Sequence, residues 1–275
     1  MAKIYRSKLN MSEISEKIRK DPGYLNKILT KMLNELESGQ SVDSEEDENV
    51  YYRLHYIEKN FALRTVSGRL FKVEKSKEVN LLDGEEVESQ ILKNMFSQVA
   101  FSFQVDQEIV AFVPKRDLSR DEFHKYFGKI LTKMQPEIKE VNFQLLFDKR
   151  AFNKRLSKID KATRATFTLV KPNGKADEEV EEFADMLTDT GAAKSKISLE
   201  ADKKSPLKKS SETFKALLKY VSNGWGSANI VGYSEEKGKT VTIDTKKDVL
   251  DTDPISESNK DSHKYIENKI FGRNE

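Results

Sequence analysis

The sequence predicts an α+β protein in two lobes, an N-terminal mixed antiparallel sheet with helices and a C-terminal split βαβ unit. Three observations carry that expectation. Runs rich in Tyr, Phe and Val, separated by turn residues, fill the first half as antiparallel strands require. The second half alternates strand-like and helix-like runs, the rhythm of βαβ units. With 15 Phe, 9 Tyr and 1 Trp, the 275 residues hold enough large apolar side chains for a packed core, although 34% of them are charged.

Residues 2–9 read as a strand that ends before Ser12. In residues 23–37, Leu25, Ile28, Leu29, Met32, Leu33 and Leu36 recur at three- and four-residue spacing, an amphipathic helix entered through Asp21-Pro22. Residues 38–49 are acidic and turn-rich and read as a solvated loop. Residues 50–75 fit two or three antiparallel strands, and residues 83–95 read as a helix. Residues 99–105 and 108–113 flank Asp106-Gln107 as a hairpin. A helix follows over 119–134, where Ser119 and Glu122 have capping-box spacing, and then a strand over 141–147.

The second half reads as strand 165–170, helix 176–189, strand 196–201, helix 210–222 and strands 228–233 and 240–245. The last two are joined by a turn at Glu236-Lys237-Gly238. A strand–helix–strand unit with a short loop predicts a right-handed parallel crossover, and this half is similar to ferredoxin-like folds. After Lys247 a polar linker leads to a short helix over 262–271. The expected units are therefore an α+β domain at 1–158, a split-βαβ domain at 159–247, and a linker with a terminal helix at 248–275.

Composition removes several chemistries. There is no cysteine, hence no disulfide, thiolate metal site or thiol nucleophile. His55, His124 and His263 are too few for a multi-histidine metal centre, and His124 beside Phe123 and Tyr126 reads as a packing residue. The phosphate-loop, GxGxxG and GxSxG patterns are absent. Asn223-Gly-Trp-Gly-Ser227 reads as a helix end with Gly224 at positive φ, leaving Trp225 either an anchor in the core or an exposed stacking surface. No run approaches the ~18 apolar residues of a membrane span, and residues 1–10 lack a signal-peptide core. The expectation is a soluble cytoplasmic protein without cofactor, metal or catalytic residues, a binder rather than an enzyme.

The net charge of +2 is the difference between 48 Lys and Arg and 46 Asp and Glu, so placement matters more than the sum. Lys149, Arg150, Lys154, Arg155, Lys158, Lys161 and Arg164 stand together against one acid, Asp160. A helix over 151–159 would bury Phe152, Leu156 and Ile159 and turn the cations outward. A second group, Lys203, Lys204, Lys208 and Lys209, surrounds Pro206. Such cations on a rigid element meet successive phosphates and release counterions. No recognition-helix or RNA-stacking signature accompanies them, so double-stranded DNA would be held by its backbone with little sequence preference. The charge pattern alone leaves RNA open as the ligand.

Asp177, Glu178, Glu179, Glu181, Glu182, Asp185 and Asp189 read as a solvated helix face. With the acids from Asp43 to Glu48 they support a rival reading, an antitoxin or immunity protein whose acidic face meets a basic partner. A third reading is a metal-dependent nuclease without a familiar motif.

Four segments also carry a resemblance. Ile4-Tyr5-Arg6-Ser7-Lys8, Phe101-Ser-Phe-Gln-Val-Asp-Gln-Glu-Ile-Val-Ala-Phe112, Leu169-Val-Lys-Pro172 and Ile197-Ser-Leu-Glu-Ala201 resemble, in order, segments of the RexA family of phage lambda exclusion proteins. Residues 169–224 further resemble an uncharacterised bacterial domain family with the pattern LVKPNG, acidic helix, ISLEA, lysine loop, helix, NG. The exclusion resemblance implies a prophage or antiviral, abortive-infection role. There a dimeric DNA-binding sensor signals to a separate membrane effector; a toxin encoded nearby is the effector under the rival reading. The resemblance assigns no individual DNA contact.

Overall fold

The computed structural model describes residues 2–82, 85–174, 178–202 and 205–272, with backbone alone over 75–82 and 85–96 and at Ser12, Pro22 and Glu179. One sheet gathers β1 (Ala2–Asn10), β2 (Ser41–Asp43), β3 (Val50–Asn60), β4 (Thr65–Leu82), β5 (Glu85–Gln104), β6 (Ile109–Phe112), β7 (Asn142–Leu145) and β12 (Thr252–Ile255). Its order is β12-β1-β6-β5-β4-β3-β2, with β7 also on β1, and every pairing is antiparallel.

Helices α1 (Ser15–Lys20), α2 (Pro22–Glu35) and α3 (Arg120–Met134) lie in the first lobe. Asp21 caps α2 by accepting from the Gly23 amide at 3.0 Å, with Pro22 in the first turn, where its missing N–H costs nothing. The capping box of α3 is formed in both directions: the Glu122 amide donates to Ser119 Oγ at 3.2 Å, and the Ser119 amide to Glu122 Oε2 at 2.9 Å. The α2 stripe of Ile28, Leu29, Met32 and Leu33 and the α3 stripe of Phe123, Phe127, Ile130 and Leu131 share one core with Leu54, Leu70, Phe101, Phe103 and Phe112. On the opposite face, α7 (His263–Ile270) packs Ile266 against Ile4, Ala100, Ala111 and Val113. The buried Glu267 carboxylate accepts from Thr65 Oγ1 at 2.6 Å and Ser67 Oγ at 3.2 Å, which fixes α7 on β4. No helix among the described residues is long and apolar enough to cross a membrane.

Two stretches differ from the sequence expectation. Residues 85–95, expected as part of a helix, belong to β5, which pairs with β4 from Thr65 opposite Gln104 to Leu82 opposite Glu85; Asp83 and Gly84 lie outside the described residues. Val87, Ile91 and Met95 have helical spacing, but continuous pairing with β4 outweighs that local pattern. The polar stretch read as a linker holds β12, which lies along β1 with Ala2 opposite Ile255. Its composition hid it: an edge strand tolerates Pro254, and the acids Asp251, just before it, and Asp253, within it, are held by Arg6. The acidic loop likewise contains the short strand β2.

The second sheet has the order β11-β10-β8-β9, built from β8 (Lys161–Val170), β9 (Lys194–Glu200), β10 (Gly226–Ser234) and β11 (Lys239–Asp244). Helices α5 (Glu178–Asp189) and α6 (Glu212–Ser222) cover it, and α4 (Lys149–Ser157) precedes it. β8 and β9 pair antiparallel, so the parallel crossover expected around the first of these helices is absent. It occurs around α6 instead. Both β9 and β10 are antiparallel to β8, hence parallel to each other with β8 between them, a split βαβ. The element sequence, strand–helix–strand–helix–strand–strand, differs from the ferredoxin-like order.

This second lobe is an insertion into the edge of the first sheet. β7 and β12 lie end to end along one edge of β1, on Ser7–Asn10 and Ala2–Tyr5, and the inserted lobe leaves after β7 and returns before β12. The two crossings form a neck in which the Asp148 amide donates to Val249 O at 2.7 Å and the Asp251 amide to Leu146 O at 2.9 Å.

The lobes are clamped beyond the neck. Asn173, 2% exposed, donates through Nδ2 to Leu9 O at 2.7 Å and to Glu108 Oε1, while its Oδ1 accepts from the Met11 amide. Arg19 on α1 reaches Glu181 Oε1 at 2.9 Å, Asp185 and Thr188 Oγ1 on α5. Gly224, at φ +85°, presses on β1 so closely that an added Cβ would lie 2.7 Å from Lys8 Cβ. Because Asn173→Ala leaves a buried amide, a carbonyl and a carboxylate without their partner, we expect a loss of about 3 kcal/mol in denaturant unfolding; a loss below about 1 kcal/mol would show that the clamp does not hold the lobes.

Candidate nucleic-acid interface

α4 is anchored at both ends. The Asp148 carboxylate accepts from the amides of Arg150 at 2.8 Å and Ala151 at 3.0 Å. Phe152 is buried against Phe147, ring centroids 5.2 Å apart. At the far end Lys209 donates to the carbonyls of Leu156, at 3.0 Å, and Ile159, closing the helix as a lysine suits a C-terminus. Lys209 therefore faces the fold, while Lys208 is exposed and Lys203 and Lys204 lie outside the described residues.

The seven-residue basic cluster divides. Arg155 lies 3.7 Å from Asp248, Lys158 3.1 Å from Glu236, Lys161 3.2 Å from Glu235 and Arg164 3.1 Å from Glu200. Exposed pairs of this kind add only about 0–1 kcal/mol each to stability, but a phosphate must displace a carboxylate to use them. Lys149, Arg150 and Lys154 are exposed and have no carboxylate partner among the described residues. Arg150 and Lys154, one helical turn apart, share a face of α4.

Sequence proximity did not reveal what α6 adds. A groove of about 230 Å³ is lined by Lys149 and Asn153 of α4 and by Lys215 and Lys219 of α6, over Phe147 and Phe152. The four-residue spacing of Lys215 and Lys219 was the available signal, since it puts both on one helix face. Beside this groove a cleft of about 670 Å³ opens at the neck, bounded by Lys8, Ile109, Lys149, Arg150, Trp225 and Asp251. Trp225 is half-buried, edge-on to Tyr220 with centroids 5.4 Å apart, and its carbonyl accepts from the Val170 amide at 3.0 Å. It is thus both anchored in the lobe and open to the cleft.

The acidic segments are in part engaged within the chain. Arg19 takes Glu181 and Asp185 of α5; Asp177 lies outside the described residues, and Glu178, Glu182 and Asp189 are exposed. In the acidic loop, Glu45 pairs with Lys125 at 2.7 Å and with Lys129, and Glu46 with Lys125 at 2.5 Å. Hydrogen bonds from Lys125 and the Tyr126 hydroxyl hold the Glu46 carboxyl down at about 2. Among the described residues no three His, Asp or Glu side chains come together as metal ligands.

Among the described residues one hydroxyl meets an imidazole: Ser7 Oγ lies 2.8 Å from His124 Nε2. Ser7, on β1 between β6 and β7, is fully buried, so a substrate has no route to it. The His124 ring stacks on Phe143 at 5.2 Å and meets Phe112 edge-on at 5.0 Å, the packing role its neighbours suggested. Burial, with Arg120 nearby, pushes its pKa down to about 3.

Fold and surface together define a two-sheet α+β protein with an inserted lobe that presents a short basic helix. The chain belongs to the family described as a domain of unknown function, DUF4747, which matches residues 17–271 and so includes strands of both sheets. No curated protein matches the chain.

Because the folded state keeps His124 neutral, its contribution to stability is complete above the unfolded pKa of about 6.5 and declines as pH falls below it. Burial shifts His55 and His263 in the same direction. Between pH 7 and pH 5 the wild type should lose about 1–2 kcal/mol more in urea unfolding than His124→Asn does. Parallel pH profiles for the two proteins would refute this account.

Proposed function

We propose that this protein binds the nucleic-acid backbone, duplex DNA in the first instance, through Lys149, Arg150 and Lys154 of α4, without catalysing a reaction. The observation that carries the reading is the set of three exposed cations on one capped helix, without a carboxylate partner among the described residues, on a surface where their neighbours are paired. Lys215 extends the same electropositive strip across the adjoining groove. A rigid helix presenting unpaired ammonium and guanidinium groups releases counterions from phosphates and needs no base contact.

The likeness to phage exclusion proteins supports the wider role: a sensor of a prophage or antiviral system that works as a dimer and signals DNA occupancy to a membrane effector. Its segments lie on or next to strands of the two sheets. Ile4–Lys8 lies on β1 against β6, with Tyr5 opposite Phe112; the segment at 169–172 runs off the end of β8, and Ile197–Glu200 lies on the neighbouring β9, with Ile197 opposite Phe167. The likeness therefore speaks for a shared framework, and the DNA contact rests on α4 alone.

Gel-shift titration of duplex DNA across salt tests the binding step. Three neutralised phosphates predict a log–log salt slope of about −2.7. Combined reversal of Lys149, Arg150 and Lys154 to Glu should abolish the shift, whereas Lys158→Glu with Lys161→Glu should leave the slope in place. Retained binding after the triple reversal would eliminate this interface.

A further inference from the structure

The cleft at the neck has a chemistry of its own. Its acids are already used: Asp148 caps α4, and Asp251 accepts from Arg6 at 2.6 Å. Lys8 is also engaged, 2.9 Å from Glu108 and donating to Gln107 O at 2.7 Å. Lys149 and Arg150 remain as cations without a carboxylate partner among the described residues. The rest of the wall is Ile109, Leu146, Phe147 and Trp225, an apolar and aromatic surface, with Ser222 and Asn223 from the end of α6 beside it.

Trp225 is held firmly for a cleft residue. It sits between Gly224 at φ +85° and Gly226 at φ +147°, and a Cβ on Gly226 would come within 2.0 Å of Thr168 O. The backbone here can therefore run this close to β8 and β1 only without side chains on either flank, and it carries the indole to the cleft in a fixed place.

Two free cations and a fixed aromatic ring select a ligand with an anionic end and a flat ring. A bare phosphate would leave the apolar wall unused, and an apolar molecule would cover two charges without compensating them. The volume of about 670 Å³ suits a small molecule with both parts. We propose that this cleft binds a nucleoside diphosphate, with its phosphates at Lys149 and Arg150 and its base against Trp225. Occupancy would compete with a nucleic-acid backbone for the same two cations, which makes the ligand a regulator of α4. The competition rests on the proposed interface, whereas nucleotide binding itself does not, and the two separate at Lys154, which is not part of the cleft wall.

Trp225, the one tryptophan of the chain, reports on its own site. ADP titrated into the full chain should change its fluorescence saturably, with a matching heat in calorimetry. Arg150→Ala, an exposed position, should weaken ADP by about tenfold, the loss of one charge-assisted contact. Lys154→Ala should leave ADP binding unchanged while weakening DNA, which separates this site from the proposed interface. Adenosine and inorganic phosphate should each bind at least about tenfold more weakly than ADP. Absence of saturation by about 1 mM ADP, equal affinity in Arg150→Ala, or phosphate binding as tightly as ADP would each overturn the proposal.

Discussion

A single buried amide decides how the two lobes meet. Asn173 must donate to a strand carbonyl and a carboxylate while accepting from the amide of Met11, just past the strand. An aspartate could not donate, and an aliphatic side chain could do neither. The backbone groups it satisfies flank the end of β1, so the loop after β8 is tied to the strand that the rest of the first sheet assembles on. Gly224 touches the same strand from the other end of the inserted lobe. The neck cleft opens beside these contacts, bounded by Lys8 of β1 and by Trp225, the neighbour of Gly224.

Near-neutrality looks different in three dimensions. Along the chain, the basic cluster and the acidic helix are separate blocks that cancel in the total. In space the blocks do not meet each other. Arg19 comes from α1 to α5, Lys125 and Lys129 from α3 to the acidic loop, and acids of distant turns come to Lys158 and Lys161. Cancellation happens pair by pair, and what is left over on α4 is small and local. A long-range field has little to contribute at the ~8 Å screening length of physiological salt, so binding there would depend on contact.

Much of the framework was legible because its signals are local. The capping box at Ser119, the Asp106-Gln107 turn and the α2 stripe each need only neighbouring residues, and each marks its element. What escaped was non-local. β5 extends into residues with helical spacing because β4 pairs with it, and β12 is a strand only because β1 offers an edge. The same holds for the interface: Lys149 and Arg150 were visible as charge, whereas the acids that occupy Lys158, Lys161 and Arg164 lie at least 36 positions further along the sequence. Lys209 counted as a cation in the sequence and proves to be a helix cap.

The insertion also sets an order of events. β1 finds β6 and β7 early in synthesis, yet half of one edge stays open until residues 252–255 emerge, after the whole inserted lobe. The intervening lobe has its own sheet and core and can fold while the first lobe waits. Until then the exposed edge of β1 is a template for foreign strands. Expression at high concentration is therefore hazardous to the older lobe rather than the younger one, and a nascent chain arrested just before residue 252 would leave the Ala2–Tyr5 edge open to foreign strands.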